Sequence, residues 1–88
     1  MEFEWDEAKN RSNQIKHGVA FALAETFGWS EAIIEVDDRR DYGEERLVAH
    51  GFADDGFGYH IAFTIRVDVV RIISARRFNS KDYQRYGT

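Results

Sequence analysis

The run Val69-Val70-Arg71-Ile72-Ile73-Ser74-Ala75-Arg76-Arg77 is the stretch that most limits what this chain can fold into. It is dense in β-branched residues and reads as a strand. Strict alternation puts Val69, Arg71, Ile73 and Ala75 on one face, and Val70, Ile72, Ser74 and Arg76 on the other. A strand that is apolar on both faces belongs inside a sheet. It ends in two arginines. A guanidinium held at the end of a rigid strand suits phosphate, which its planar fork can grip. Two arginines also simply mark where a strand meets water, and this run alone leaves both readings open.

Two further strands precede it. Tyr59–Val67 alternates, with Tyr59, Ile61, Phe63, Ile65 and Val67 on one side and His60, Ala62, Thr64 and Arg66 on the other. Arg46–Phe52 shares this pattern, and Asp54-Asp55-Gly56 between them fits a three-residue hairpin loop with Gly56 in the left-handed position. That loop sets His50 opposite His60 and Arg46 opposite Thr64. One hairpin face then carries two arginines, two histidines and a threonine. The other carries Ile61, Phe63, Ile65, Leu47 and Ala49 and needs a cover.

The first part of the chain supplies that cover. Phe3–Trp5 suits a short strand. Asp6 is an N-cap for a helix from about Glu7 to Lys16, stopped by Gly18. Ala20, Leu23, Ala24 and Phe27 recur at the spacing of a buried helical stripe, which predicts a second helix over Val19–Gly28. Lys16-His17-Gly18 forms the corner between them; His17 there is either a helix-end histidine or a functional one. Ala32–Asp37 reads as a strand and Asp38–Glu45 as a long charged loop. Asn79–Tyr86 reads as a short helix capped by Asn79 or Ser80, with Tyr83 and Tyr86 on one side.

With 88 residues this is one domain over 1–88, and 43% apolar content suffices for one modest core. There is no cysteine, so disulfides, thiol nucleophiles and thiolate zinc sites are excluded. No apolar run is long enough to cross a membrane, and the acidic start does not resemble a signal peptide; a cytoplasmic protein is expected. The net charge of −4 argues against a general nucleic-acid binder. Its distribution is uneven: residues 1–45 hold 5 Lys and Arg against 12 Asp and Glu, and residues 46–88 hold 7 against 4. A local basic face follows, or a solvated surface of mixed sign.

Cleaving RNA needs proton transfer between the 2′-hydroxyl and the leaving oxygen, and positive charge near phosphorus. Arg46, Arg66 and Arg76 supply charge; His50, His60, Glu44, Glu45 and Tyr86 lie near. A metal hydrolase competes, using His17, His50 and His60, but no paired-histidine spacing supports a metal site.

The strings Phe3-Glu4-Trp5-Asp6-Glu7-Ala8-Lys9-Asn10, Lys16-His17-Gly18-Val19-Ala20-Phe21, Gly43-Glu44-Glu45-Arg46 and Arg71-Ile72-Ile73-Ser74-Ala75-Arg76 together resemble the BrnT ribonuclease toxins of bacterial type II toxin–antitoxin modules. The resemblance implies a RelE-like α+β fold: two N-terminal helices on one face of a largely antiparallel sheet, with a short C-terminal helix. It implies metal-independent RNA cleavage without a cofactor. It also implies a ribbon-helix-helix antitoxin as partner, operator DNA bound only through that antitoxin, no membrane, and toxin dimers within the complex. Carried onto this chain, it marks Lys16 or His17, Glu45, Arg46, Arg66 and Arg76 as catalytic. His50, His60 and Thr64 on the polar hairpin face, with Arg77 and Tyr86, are then expected to contact RNA. The chain departs from the family pattern at Ala20, at Arg77-Phe78 and in its Lys81–Tyr86 ending. The alternative is a non-enzymatic domain that only binds the DNA-binding partner.

Overall fold

The computed structural model describes residues 1–39 and 43–87, so the charged loop expected at Asp38–Glu45 lies partly outside the described residues. Five strands form one sheet: β1 (Glu2–Glu4), β2 (Ile33–Val36), β3 (Leu47–Phe52), β4 (Gly58–Arg66) and β5 (Val69–Arg77), in the spatial order β1-β5-β4-β3-β2. Two α-helices accompany it, α1 (Glu7–His17) and α2 (Ser80–Tyr86). The β3–β4 hairpin has the expected register, Leu47 opposite Phe63 and His50 opposite His60, with Gly56 at φ +85°. β1 runs parallel to β5, while the other three pairings are antiparallel. The sheet is therefore mixed: largely antiparallel, with one parallel pairing at β1 that the expectation did not include.

The second expected helix does not form. Residues Phe21–Glu25 and Trp29–Glu31 are short 3₁₀ turns. Phe21, Ala24 and Phe27 are buried while Ala20 is exposed, so burial recurs every third residue, the period of a 3₁₀ helix. The backbone ends of this segment have other partners: Phe27 bridges to Ala53, Gly28 N–H donates to Phe52 O (2.8 Å), and Asp54 N–H donates to Thr26 O (3.2 Å). An α-helix through Gly28 would forfeit those bonds. The segment still covers the apolar face, where Val19, Phe21, Ala24 and Phe27 meet Ile61, Phe63, Ile72 and Ala75. Each large side chain so buried contributes about 1.5–3 kcal/mol. Ile65, placed against the cover by alternation, projects past it and is 56% exposed.

Helix α1 follows its expected bounds to within a residue. Asp6 Oδ1 accepts from Ala8 N and Lys9 N, and Gly18 closes the helix at φ +70°. Its position differs from the expectation: it lies along the edge of β5 beyond the short β1. There Asn13 acts in place of a strand. Its Nδ2 donates to Ala75 O (2.8 Å) and Val19 O (2.8 Å), and its Oδ1 accepts from Ala75 N (3.2 Å). At the opposite border, β2 presents Ile33, Ile34, Glu35 and Val36, all exposed.

A β-bulge alters the parity of β5. Ala62 pairs with Ser74 but Phe63 pairs with Ile72, which leaves Ile73 as an extra residue. Val70, Ile72 and Ala75 consequently all join the core, and Arg71, opposite Thr64, shares a face with Arg76, opposite His60. Strict alternation had put Arg71 and Arg76 on opposite faces.

Candidate active site on the polar sheet face

The face turned away from the apolar cover is built by alternate residues of four strands. His50 and His60 meet across β3 and β4 with their Nδ1 atoms 2.7 Å apart and their rings nearly perpendicular, at 83°. His50 Nε2 lies 2.7 Å from Glu35 Oε1 on the neighbouring β2. The Tyr86 ring stacks on His50 at 4.1 Å and its hydroxyl donates to Glu35 Oε1 (3.2 Å). On the other side, His60 Nε2 is 2.9 Å from Asp82 Oδ2, buried and out of line for a hydrogen bond. Arg76 Nη1 is 3.5 Å from the same oxygen, with half its side chain exposed.

Helix α2 brings Asp82 and Tyr86 to this face. A capping box fixes its start: Asp82 N–H donates to Asn79 Oδ1 (2.9 Å) and Asn79 N–H donates to Asp82 Oδ2 (2.8 Å). Tyr83 anchors the helix by accepting from Gly58 N at its hydroxyl (3.0 Å). Asp82 is thus held in one place by its own backbone geometry, with Arg76 and His60 against it.

The 2.7 Å Nδ1–Nδ1 distance requires a hydrogen between the rings, since two lone pairs or two N–H groups would repel. Burial pushes both imidazoles below the usual histidine range; His60 lowers His50 further and Arg76 lowers His60, while Glu35 and Asp82 oppose these effects. With His50 Nε2–H directed to Glu35 and one hydrogen shared inside, the position still open to a proton is His60 Nε2. A proton arriving there turns a close carboxylate contact into an ion pair. The Asp82 carboxyl is held below its usual range against the raising effect of its own burial, chiefly by the His60 contact and the Asn79 N–H. The His60–Asp82 pair is where this cluster gains or loses a proton.

An open cleft of about 330 Å³ lies before the pair, walled by His17, Ser74, Arg76, Asp82, Arg85 and Tyr86 among others. A second recess of about 310 Å³, beside Ile33 and Phe52, shares His50 and Tyr86 with it. Of the residues marked from sequence, His17, His50, His60, Arg76 and Tyr86 converge on this cleft. Lys16 lies in a shallow depression next to it, with His17 and Ser74. Arg46, Arg66 and Thr64 do not converge there; they line a separate recess with Lys9, Glu44 and Arg71. Glu45 is exposed and lines neither. Arg77 faces the opposite way, opposite Tyr59 and over the Phe57 ring at 4.9 Å. Sequence reasoning missed Glu35 and Asp82. The Asn79-Ser80-Lys81-Asp82 spacing of a capping box was the signal for the second; the pairing of β2 with β3, needed for the first, had no turn to fix it.

The class defined here is a small α+β domain that carries paired histidines, carboxylates and arginines on an open polar sheet face. The family model for "Ribonuclease toxin, BrnT, of type II toxin-antitoxin system" matches residues 5–82, and the chain belongs to that family. Among solved structures, the chain is similar to the crystal structure of the Brucella abortus ribonuclease toxin BrnT, with 28% identity and a TM-score of 0.68 over 91% of this chain and 99% of that one. No curated protein matches. No helix among the described residues is long and apolar enough to cross a membrane.

Proposed function

We propose that this chain is an endoribonuclease whose reaction takes place at the Arg76–Asp82–His60 cleft. The observation that carries this reading is the half-exposed Arg76 held against Asp82, whose carboxylate also meets the buried His60, on an open polar face. The RNA 2′-oxygen attacks phosphorus and the P–O5′ bond breaks, so one proton leaves the 2′-hydroxyl and another joins the 5′-oxygen. The Asp82 carboxylate faces the cleft, and the His60–Asp82 pair takes the first proton, which comes to rest on His60 Nε2 against that carboxylate. Arg76 offers its fork to the charge that builds on the phosphoryl oxygens. His17, on another wall of the cleft, with Lys16 beside it, is placed to supply the second proton. His50, Glu35 and Tyr86 orient His60 and do not touch RNA in this scheme. Glu45, Arg46 and Arg66, marked as catalytic by resemblance, have no chemical part here.

The chemistry uses the chain's own cations for the charge on phosphorus, and no step in it calls for a metal. The reading further holds that a ribbon-helix-helix antitoxin neutralises the toxin in the cytoplasm and alone contacts operator DNA.

Cleavage of a single-stranded RNA by purified variants tests this. Arg76→Ala should cost roughly 10²-fold in rate, the scale of losing one preorganised donor, and Arg76→Lys should recover part of it. Rates should survive EDTA. An Arg76→Ala variant that folds and cleaves like the parent, or chelation that stops cleavage until Mg²⁺ is restored, overturns the reading.

A further inference from the structure

We infer that the recess around Thr64 is a second phosphate site, which grips the RNA backbone away from the bond that is cut. This inference rests on the ribonuclease reading for its ligand, but on separate residues. Lys9 of α1, Arg46 before β3, Arg66 of β4 and Arg71 of β5 surround an opening of about 220 Å³. The bulge at Ile73 is what brings Arg71 to this side.

Three of these cations lie against carboxylates. Arg66 Nη2 donates to Glu44 Oε1 (2.8 Å), Arg71 Nη1 donates to Glu4 Oε2 (2.6 Å), and Arg46 Nε lies 3.9 Å from the buried Asp37, which Arg39 also grips at 2.8 Å. A guanidinium has five donors in a fixed fork, so one carboxylate orients it and leaves donors for another anion. The recess therefore combines four cations with the acid Glu44 at its wall and Glu4 and Asp37 behind.

The floor is the decisive feature. Thr64 is 3% exposed, and its hydroxyl has no hydrogen-bond partner. A buried hydroxyl without a partner costs stability, and valine would fill the same space without that cost. Thr64 lines the recess together with the four cations, and a phosphate oxygen seated there is the acceptor that its buried hydroxyl lacks. His60 and Thr64 are four residues apart on β4, so the two sites are about 13 Å apart along the strand. One RNA strand crossing the sheet face from Arg76 towards Arg66 would put one phosphate in each.

The test measures binding alone, with a fluorescent ten-nucleotide 2′-O-methyl RNA that cannot be cut. Arg71→Gln and Lys9→Gln should each weaken binding several-fold and reduce the slope of log affinity against log salt by about one phosphate contact. Arg11→Gln removes a charge from α1 at a position that does not line the recess, and should keep the parent slope. Thr64→Val should raise the melting temperature and weaken RNA binding. That opposed pair of changes is the signature of a ligand-directed hydroxyl. Equal losses from Arg11→Gln and Arg71→Gln would mean diffuse attraction and overturn the site. Thr64→Val binding like the parent, or a parent that does not bind the probe, would overturn it too. Failure of the catalytic reading would appear instead as cleavage that ignores Arg76, with these affinities unaffected.

Discussion

Asn13 shows how much one side chain can settle. It donates twice and accepts once, entirely to backbone groups that no strand reaches. In sequence it was one polar residue on a polar helix, with nothing to mark it as buried. Asn13→Ala should leave three buried backbone groups unpaired and destabilise the fold by about 3 kcal/mol, read by urea unfolding. A loss under about 0.5 kcal/mol would mean that water replaces the side chain. His50 and His60 were legible in part. The hairpin loop fixed their opposition, and the observed register agrees. Of their carboxylate partners, Asp82 was legible only as a capping-box residue and Glu35 not at all, because no turn of fixed geometry ties α2 or β2 to the hairpin.

At the scale of elements, the signals that held are the ones written in local chemistry. Asp6 and Gly18 bracket α1, Asn79 caps α2, and Gly56 turns the β3–β4 hairpin. What failed depended on competition with distant backbone. The Val19–Gly28 stripe fits an α-helix and a 3₁₀ turn about equally, and the bonds to Phe52 and Asp54 decide between them. The bulge at Ile73 was hidden for the same reason: a run of β-branched residues reads alike with or without one extra residue. One further element carries a local misfit. β4 and β5 join through Val67-Asp68, and Val67 has φ +58° while 92% exposed. A β-branched residue there is strained by roughly 1–2 kcal/mol. Val67→Gly should raise stability by about 1 kcal/mol in the same unfolding assay, and a lower value than the parent would show that the valine is held by something else.

On the scale of the whole molecule, one sheet face is sealed by apolar cover and the other concentrates its ionisable groups. That asymmetry makes stability depend on pH in a definite direction. His50 and His60 titrate lower in the folded chain than in the unfolded one, so the unfolded chain takes up more protons as pH falls through the usual histidine range. Melting temperature should therefore drop as pH falls from about 7 towards 5, starting near the ordinary histidine value of about 6.5. His50→Gln with His60→Gln should flatten that slope; an unchanged slope would assign it to other groups. The borders of the sheet differ as much as its faces. On the β1 side, a three-residue strand with two glutamates and the Asn13 helix leave no template for another chain. On the β2 side, the last strand of the sheet carries four exposed residues, and among the described strands none pairs with its outer edge. A molecule with one adhesive border can join another of its kind only once. Edge-to-edge growth stops at two chains and cannot run on into a fibre. Whatever occupies that border lies directly beside Glu35, within reach of the histidine pair.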